Sequence, residues 1–259
     1  MILMNIGKKL LSLLTVFCLT LSLVPTVALA STSSPSSVKI NNGVEMVGQE
    51  TTYYTSGGNS STVTEPNTWT AKYEPSIHKL TLKNYRGGPI FANGDLTISL
   101  DGTNSITSQD NGINLGYIPF NSVNASLTIE GNGSITLSSA ANSTIYVTNN
   151  LTIQGGAKVT AADGRSGQAI HANGGTIIIQ GSGTTVTAEN AEVRSGNSNG
   201  TIDLKDGATL TAGTTGGQVM INGTTAGSDL NFSNGVTAPS IATYIISGTV
   251  KDTSGNPIA

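Results

Sequence analysis

"GDLTISLDGTNSIT", residues 94–107, holds two short runs of alternating apolar and polar residues separated by Asp101-Gly102. Alternation sends Leu96 and Ile98 to one side and Thr97 to the other, as in a strand, and a glycine at the break permits a tight corner. Variants of this stretch return down the chain. Leu96-Thr97-Ile98 is followed by Leu127-Thr128-Ile129, Leu151-Thr152-Ile153, Ile177-Ile178-Ile179, Ile202-Asp203-Leu204 and Leu230-Asn231-Phe232, at intervals of 24 to 31 residues. After each comes a turn ending in glycine, then a second strand centred on Ile106, Ile135, Val159, Val186, Leu210 or Val236. A third strand recurs as "PIFA", "GINL", "TIYV", "AIHA", "AEVRS" and "QVMI".

One repeat of this kind cannot bury its apolar side alone. Stacking successive repeats about 4.8 Å apart, with parallel backbone pairing, turns the inward Leu, Ile and Val into continuous columns. No amphipathic helical period follows any strand, which excludes alternating strand-helix folds. The expected fold is all-β: a right-handed parallel β-helix of about six three-strand rungs, the hand following from the crossover preference.

The ends break the period. Residues 1–30 carry Lys8 and Lys9, an apolar run and Ala28-Leu29-Ala30, and read as a secretory signal peptide. Its removal takes away Cys18, the only cysteine, so the exported chain holds no disulfide and no membrane span. Residues 31–88 read as an N-terminal β cap leading into the first rung at residue 89, with Tyr53, Tyr54, Trp69 and Tyr73 as core aromatics. The β-helix then runs over 89–240, and 241–259 leaves the pattern.

Composition narrows the functional classes. Charged residues make up 10% of the 259-residue chain and its formal net charge is −3, which excludes a basic nucleic-acid surface.

Two resemblances bear on function. Residues 69–107, "WTAKYEPSIHKLTLKNYRGGPIFANGDLTISLDGTNSIT", resemble the opening of a family of exported β-helical surface proteins of Gram-positive bacteria, described as carbohydrate-binding domain-containing. The resemblance implies a secreted or cell-surface, glycan-associated role. "YIISGTVKDTSGNPIA", residues 244–259, resembles the first strand and turn of carboxypeptidase regulatory-like, immunoglobulin-like domains, implying further domains C-terminal of Ala259.

The outward residues carry the functional expectations. The third strands align Phe91, Asn114, Tyr146, His171, Arg194 and Met220 in a column. Its aromatic rings suit C–H stacking on sugars and its polar groups suit hydroxyls. Tyr117 and Phe120, in the long connection after this strand, would add a wall to the same carbohydrate site. The partner expected is a polysaccharide or cell-wall glycan, bound without catalysis. A second column at the turn after the first strand contains Asp101, Glu130, Gln154, Gln180, Asp206 and Asn234, where Asp101 with Glu130 could hold Ca²⁺. Turn chemistry alone also selects Asp and Asn before glycine, and no other cofactor is expected. A third column, Thr107, Thr136, Thr160, Thr187, Thr211 and Thr237, is what an exposed strand favours.

β-helices also serve as polysaccharide lyases and glycoside hydrolases, which need facing carboxylates, or clustered acids with a base. The candidates Asp163, Arg165, Glu189, Glu192, His171 and Arg194 are scattered singles, so the enzyme is the alternative reading and a purely structural stalk the other.

Overall fold

The computed structural model describes residues 34–240, apart from 42, 47, 56–60, 117–121, 141–142, 163–166 and 197–199 and the side chains of residues 189 and 190. The leader, the C-terminal segment, Tyr117, Phe120, Asp163 and Arg165 therefore lie outside the described residues.

The chain is all-β, with long parallel sheets of the kind a β-helix or solenoid contains. Among the described residues the single helical element is a 3-10 turn at Pro75–Ile77. First strands stack parallel in one sheet, and the register sets Leu96, Leu127, Leu151, Ile177 and Ile202 opposite one another in succession. Ile98, Ile129, Ile153, Ile179 and Leu204 form the neighbouring column. All ten residues are buried and belong to one continuous core. Since one layer has no core of its own, each column is stabilised by the layers above and below.

A second sheet holds the second-strand and third-strand runs, joined because Thr185–Ser195 and Thr209–Gly216 each pass through both. Corners are fixed by local chemistry. Asp95 Oδ1 accepts the Ser126 amide at 2.7 Å, and Asn150 Oδ1 accepts that of Thr176 at 2.8 Å, so a carboxylate and an amide oxygen tie one layer to the next. Gly131 turns the chain at φ 100°, where an added Cβ would lie 2.6 Å from the Leu100 carbonyl oxygen.

The first layer departs from motif alignment by two residues. "SIT" at 105–107 aligns with "SIT" at 134–136 in sequence, but the structure pairs Ser105 with Thr136 and Ile106 with Leu137. The first repeat is 31 residues long from Leu96 to Leu127, and the same offset holds at Asn104, which pairs with Ile135. Asn104, two residues before Ile106, faces inward and is 1% exposed. Its Oδ1 accepts the Tyr85 amide at 2.8 Å, while Nδ2 donates to the carbonyls of Asp101 at 3.3 Å and Ser134 at 3.1 Å. A buried amide is tolerated where its donors and acceptor are satisfied.

Both ends finish in antiparallel strands. Val38–Ile40 lies antiparallel on Ile90–Ala92, and Thr52–Tyr54 with Ala71–Glu74 extends the first-strand sheet beyond Lys79–Lys83. Lys79–Lys83 itself already runs parallel to Leu96–Asp101. Tyr54, Tyr73 and Tyr85 are buried there, whereas Trp69 remains partly exposed, with the Lys83 ammonium 5.3 Å from its ring centroid.

The C-terminal end corrects the expected sixth layer. "QVMI" is a first strand, pairing parallel with Thr201–Lys205 so that Met220 opposes Asp203. Leu230-Asn231-Phe232 forms no parallel layer: Phe232 opposes Ala212, and Val236 opposes Leu210, in an antiparallel strand. The reversal occurs at Asn222-Gly223, whose φ values of 48° and 77° are those of a tight hairpin turn, returning the chain as Thr224–Ser228. Antiparallel returns cover sheet edges that parallel stacking would leave open.

Candidate functional site

The third-strand run places five of the expected residues in one register column. Phe91 opposes Asn114, Asn114 opposes Tyr146, Tyr146 opposes His171 and His171 opposes Arg194. Beyond Arg194 the column ends at Gly216, where Met220 was expected, and before Phe91 it begins at Lys39 of the antiparallel cap strand. Each of the five projects away from the core between inward neighbours such as Ile90, Ile113, Ile145, Ile170 and Val193.

The column is packed, with Asn114 only 7% exposed between Phe91 and Tyr146. The rings of Tyr146 and His171 meet edge to face, centroids 5.4 Å apart and planes at 90°. Arg194 makes a two-pronged pair with Glu192, Nε and Nη2 each 3.0 Å from a carboxylate oxygen. That pair raises the guanidinium's already high pKa and is the strong geometry for carboxylate recognition. Gly216 makes room for it: a Cβ there would lie 2.6 Å from Glu192 Oε1. At the other end, Lys39 Nζ lies 3.7 Å from Glu45 in an exposed pair.

Two polar atoms in this column are buried without a hydrogen-bond partner, Asn114 Oδ1 and His171 Nε2. Burial, then the positive charge of Arg194, lowers the His171 pKa below its usual 6.5, against Glu192 and a backbone hydrogen bond at Gly196, which raise it. Nε2 has no partner, and in a neutral imidazole the unpartnered nitrogen carries a lone pair when the other nitrogen holds the proton. Native proteins leave few buried polar atoms unpaired, and such atoms mark places where a partner is missing.

On either side of the connection that carries Tyr117 and Phe120, the described residues Gly116 and Val123 are joined to each other and to Thr148. Val123 N donates to the Gly116 carbonyl at 2.9 Å, and Thr148 Oγ1 donates to Val123 O at 2.6 Å while accepting the Ala125 amide at 2.9 Å.

The other two columns change composition. Glu130 opposes Ser99, so the register does not pair it with Asp101, and its Oε1 lies 2.9 Å from Lys79 Nζ. Gln154 and Gln180 join by an amide hydrogen bond of 2.8 Å, and Lys205, in place of Asp206, opposes Gln180. No group of three or more His, Cys, Asp or Glu gathers in a metal-holding arrangement among the described residues. On the second-strand run, Thr136, Thr160, Thr187 and Thr211 do form a ladder, with Ser105 in the place expected of Thr107. Thr237 pairs instead with Thr209, their hydroxyls 2.8 Å apart.

Among the described residues no helix is long and apolar enough to cross a membrane. Comparisons with protein-family models, with curated proteins and with solved structures find no match to this chain.

Proposed function

We propose that this chain is a right-handed parallel β-helix of about six three-strand rungs, counted from Lys79–Lys83, exported to the cell surface or beyond, which binds a polysaccharide or cell-wall glycan without catalysis. The observation that carries this reading is the third-strand column itself. Phe91 and Tyr146 alternate with Asn114 and His171 at successive layers, and two polar atoms among them lack partners. Strand layers repeat at about 4.8 Å, close to the length of one sugar unit, so a glycan running along the stack meets a ring or a polar group at each step. Sugar binding draws on that pairing of apolar ring faces with placed hydrogen-bonding groups.

The enzyme alternative has less support among the described residues, because Glu192 is engaged by Arg194 and Glu130 by Lys79. Further domains after Ala259 would make the chain a display module.

The test is a glycan array probed with residues 31–259, wild type and with Tyr146→Ala plus His171→Ala. Binding by the wild type that disappears in the double variant supports the reading. An empty array favours a structural stalk, and a calcium-dependent rise in ultraviolet absorbance with pectin-type substrates favours a lyase.

A further inference from the structure

We infer that the strip selects a neutral, hydroxyl-rich glycan over a uronate or sulfated one, with Asn114 Oδ1 and His171 Nε2 accepting hydroxyl protons from the sugar. The inference rests on the glycan-binding reading above and narrows its ligand class.

Both atoms without partners can accept: an amide oxygen has only lone pairs, and His171 Nε2 is the lone-pair nitrogen of the ring when the proton is on Nδ1. A hydroxyl offers the proton they lack. A uronate's ring hydroxyls offer it too, but its carboxylate, like a sulfate, brings only further lone pairs and would set acceptor against acceptor wherever it took a hydroxyl's place.

Charge points the same way. The cations of this column, Lys39 at one end and Arg194 at the other, each have a carboxylate partner. Arg194 is held by two hydrogen bonds, and the Glu192 side chain is 15% exposed, so this pair is not readily opened by solvent. An anionic sugar would have to displace Glu192 and leave that carboxylate buried and unpaired. Asn114 and His171 share Tyr146 as a column neighbour.

The experiment titrates residues 31–259 with hexasaccharides of one length: cello-, manno- and chitohexaose against hexagalacturonate, at low and high salt. A neutral hexasaccharide should bind at least about tenfold more tightly than hexagalacturonate, the worth of one unsatisfied polar group, with little salt dependence. Asn114→Ala should weaken the neutral ligand, and Glu192→Gln, by freeing the Arg194 charge, should improve hexagalacturonate binding and make it salt-sensitive. Tighter binding of hexagalacturonate by the wild type, falling with salt, would overturn the inference while leaving glycan binding in place. Failure of every hexasaccharide to bind would overturn the glycan-binding reading itself.

Discussion

Replacing Asn104 by alanine tests the register of the first layer, because the structural pairing sets that inward amide opposite Ile135 and within reach of the Tyr85 and Ser134 backbone. In wild type Asn104 Oδ1 accepts the Tyr85 N–H at 2.8 Å, and Tyr85 is fully buried. Truncation leaves that N–H buried without a partner, at a cost of about 1–3 kcal/mol. The longer bonds to the Asp101 and Ser134 carbonyls, 3.3 and 3.1 Å, contribute about 0.5–1 kcal/mol each. The expected loss is about 2–5 kcal/mol, read in urea as a lower midpoint at unchanged slope. Asn104→Ile should also destabilise, although isoleucine matches the opposing Ile135, since it too leaves the Tyr85 amide unpaired. Ser105→Ala, one residue along and facing outward, should change stability by no more than about 0.5 kcal/mol. A loss below about 0.5 kcal/mol for Asn104→Ala, or equal losses at 104 and 105, would refute the register and the role given to the amide.

Three further outcomes follow from the same geometry. Gly131→Ala combines a positive φ with backbone at 2.6 Å from the new Cβ, and should lower stability by about 1–3 kcal/mol in the same urea assay. Gly216→Ala should leave the urea midpoint nearly unchanged, because its Cβ meets the ends of flexible side chains, but should disturb the Glu192–Arg194 pair and raise hexagalacturonate affinity. His171, facing Tyr146, Glu192 and Arg194, has a folded pKa held below 6.5 mainly by burial. Its unfolded form therefore takes up protons first on acidification. The resulting stability is complete above about pH 6.5 and is lost as pH falls through the lower folded value. His171→Gln should flatten that part of a melting-temperature against pH curve.

Much of the architecture is legible in sequence because Leu127, Leu151, Ile177 and Ile202 recur at nearly constant spacing, and a strand's alternation fixes which side each faces. The two-residue error in the first layer has a physical source. A slip of two preserves the inward and outward sides, so the pattern that reveals the strand cannot choose between Ile135 and Leu137 as the partner of Ile106. Only the buried Asn104, held by backbone groups distant in sequence, reports the difference. That same slip explains why Asp101 and Glu130 do not meet. At the far end, apolar triplets around Met220 and Phe232 resemble another layer, yet Asn222-Gly223 between two short runs is a hairpin signal and could have corrected the reading. The strip from Phe91 to Arg194 was legible as a column. The unpartnered acceptors and the Glu192 clamp were not, since both depend on side-chain placement across layers.

Amide chemical shifts of the isotopically labelled protein, followed while the tightest-binding neutral hexasaccharide is added, locate the bound sugar residue by residue. Shifts should concentrate in the third strands, at residues 90–92, 113–115, 145–147, 170–172 and 193–195, while 134–138 and 158–161 on the threonine face stay still. Shifts centred on the threonine face or on the Gln154–Gln180 turns, with the third strands unmoved, would contradict that placement.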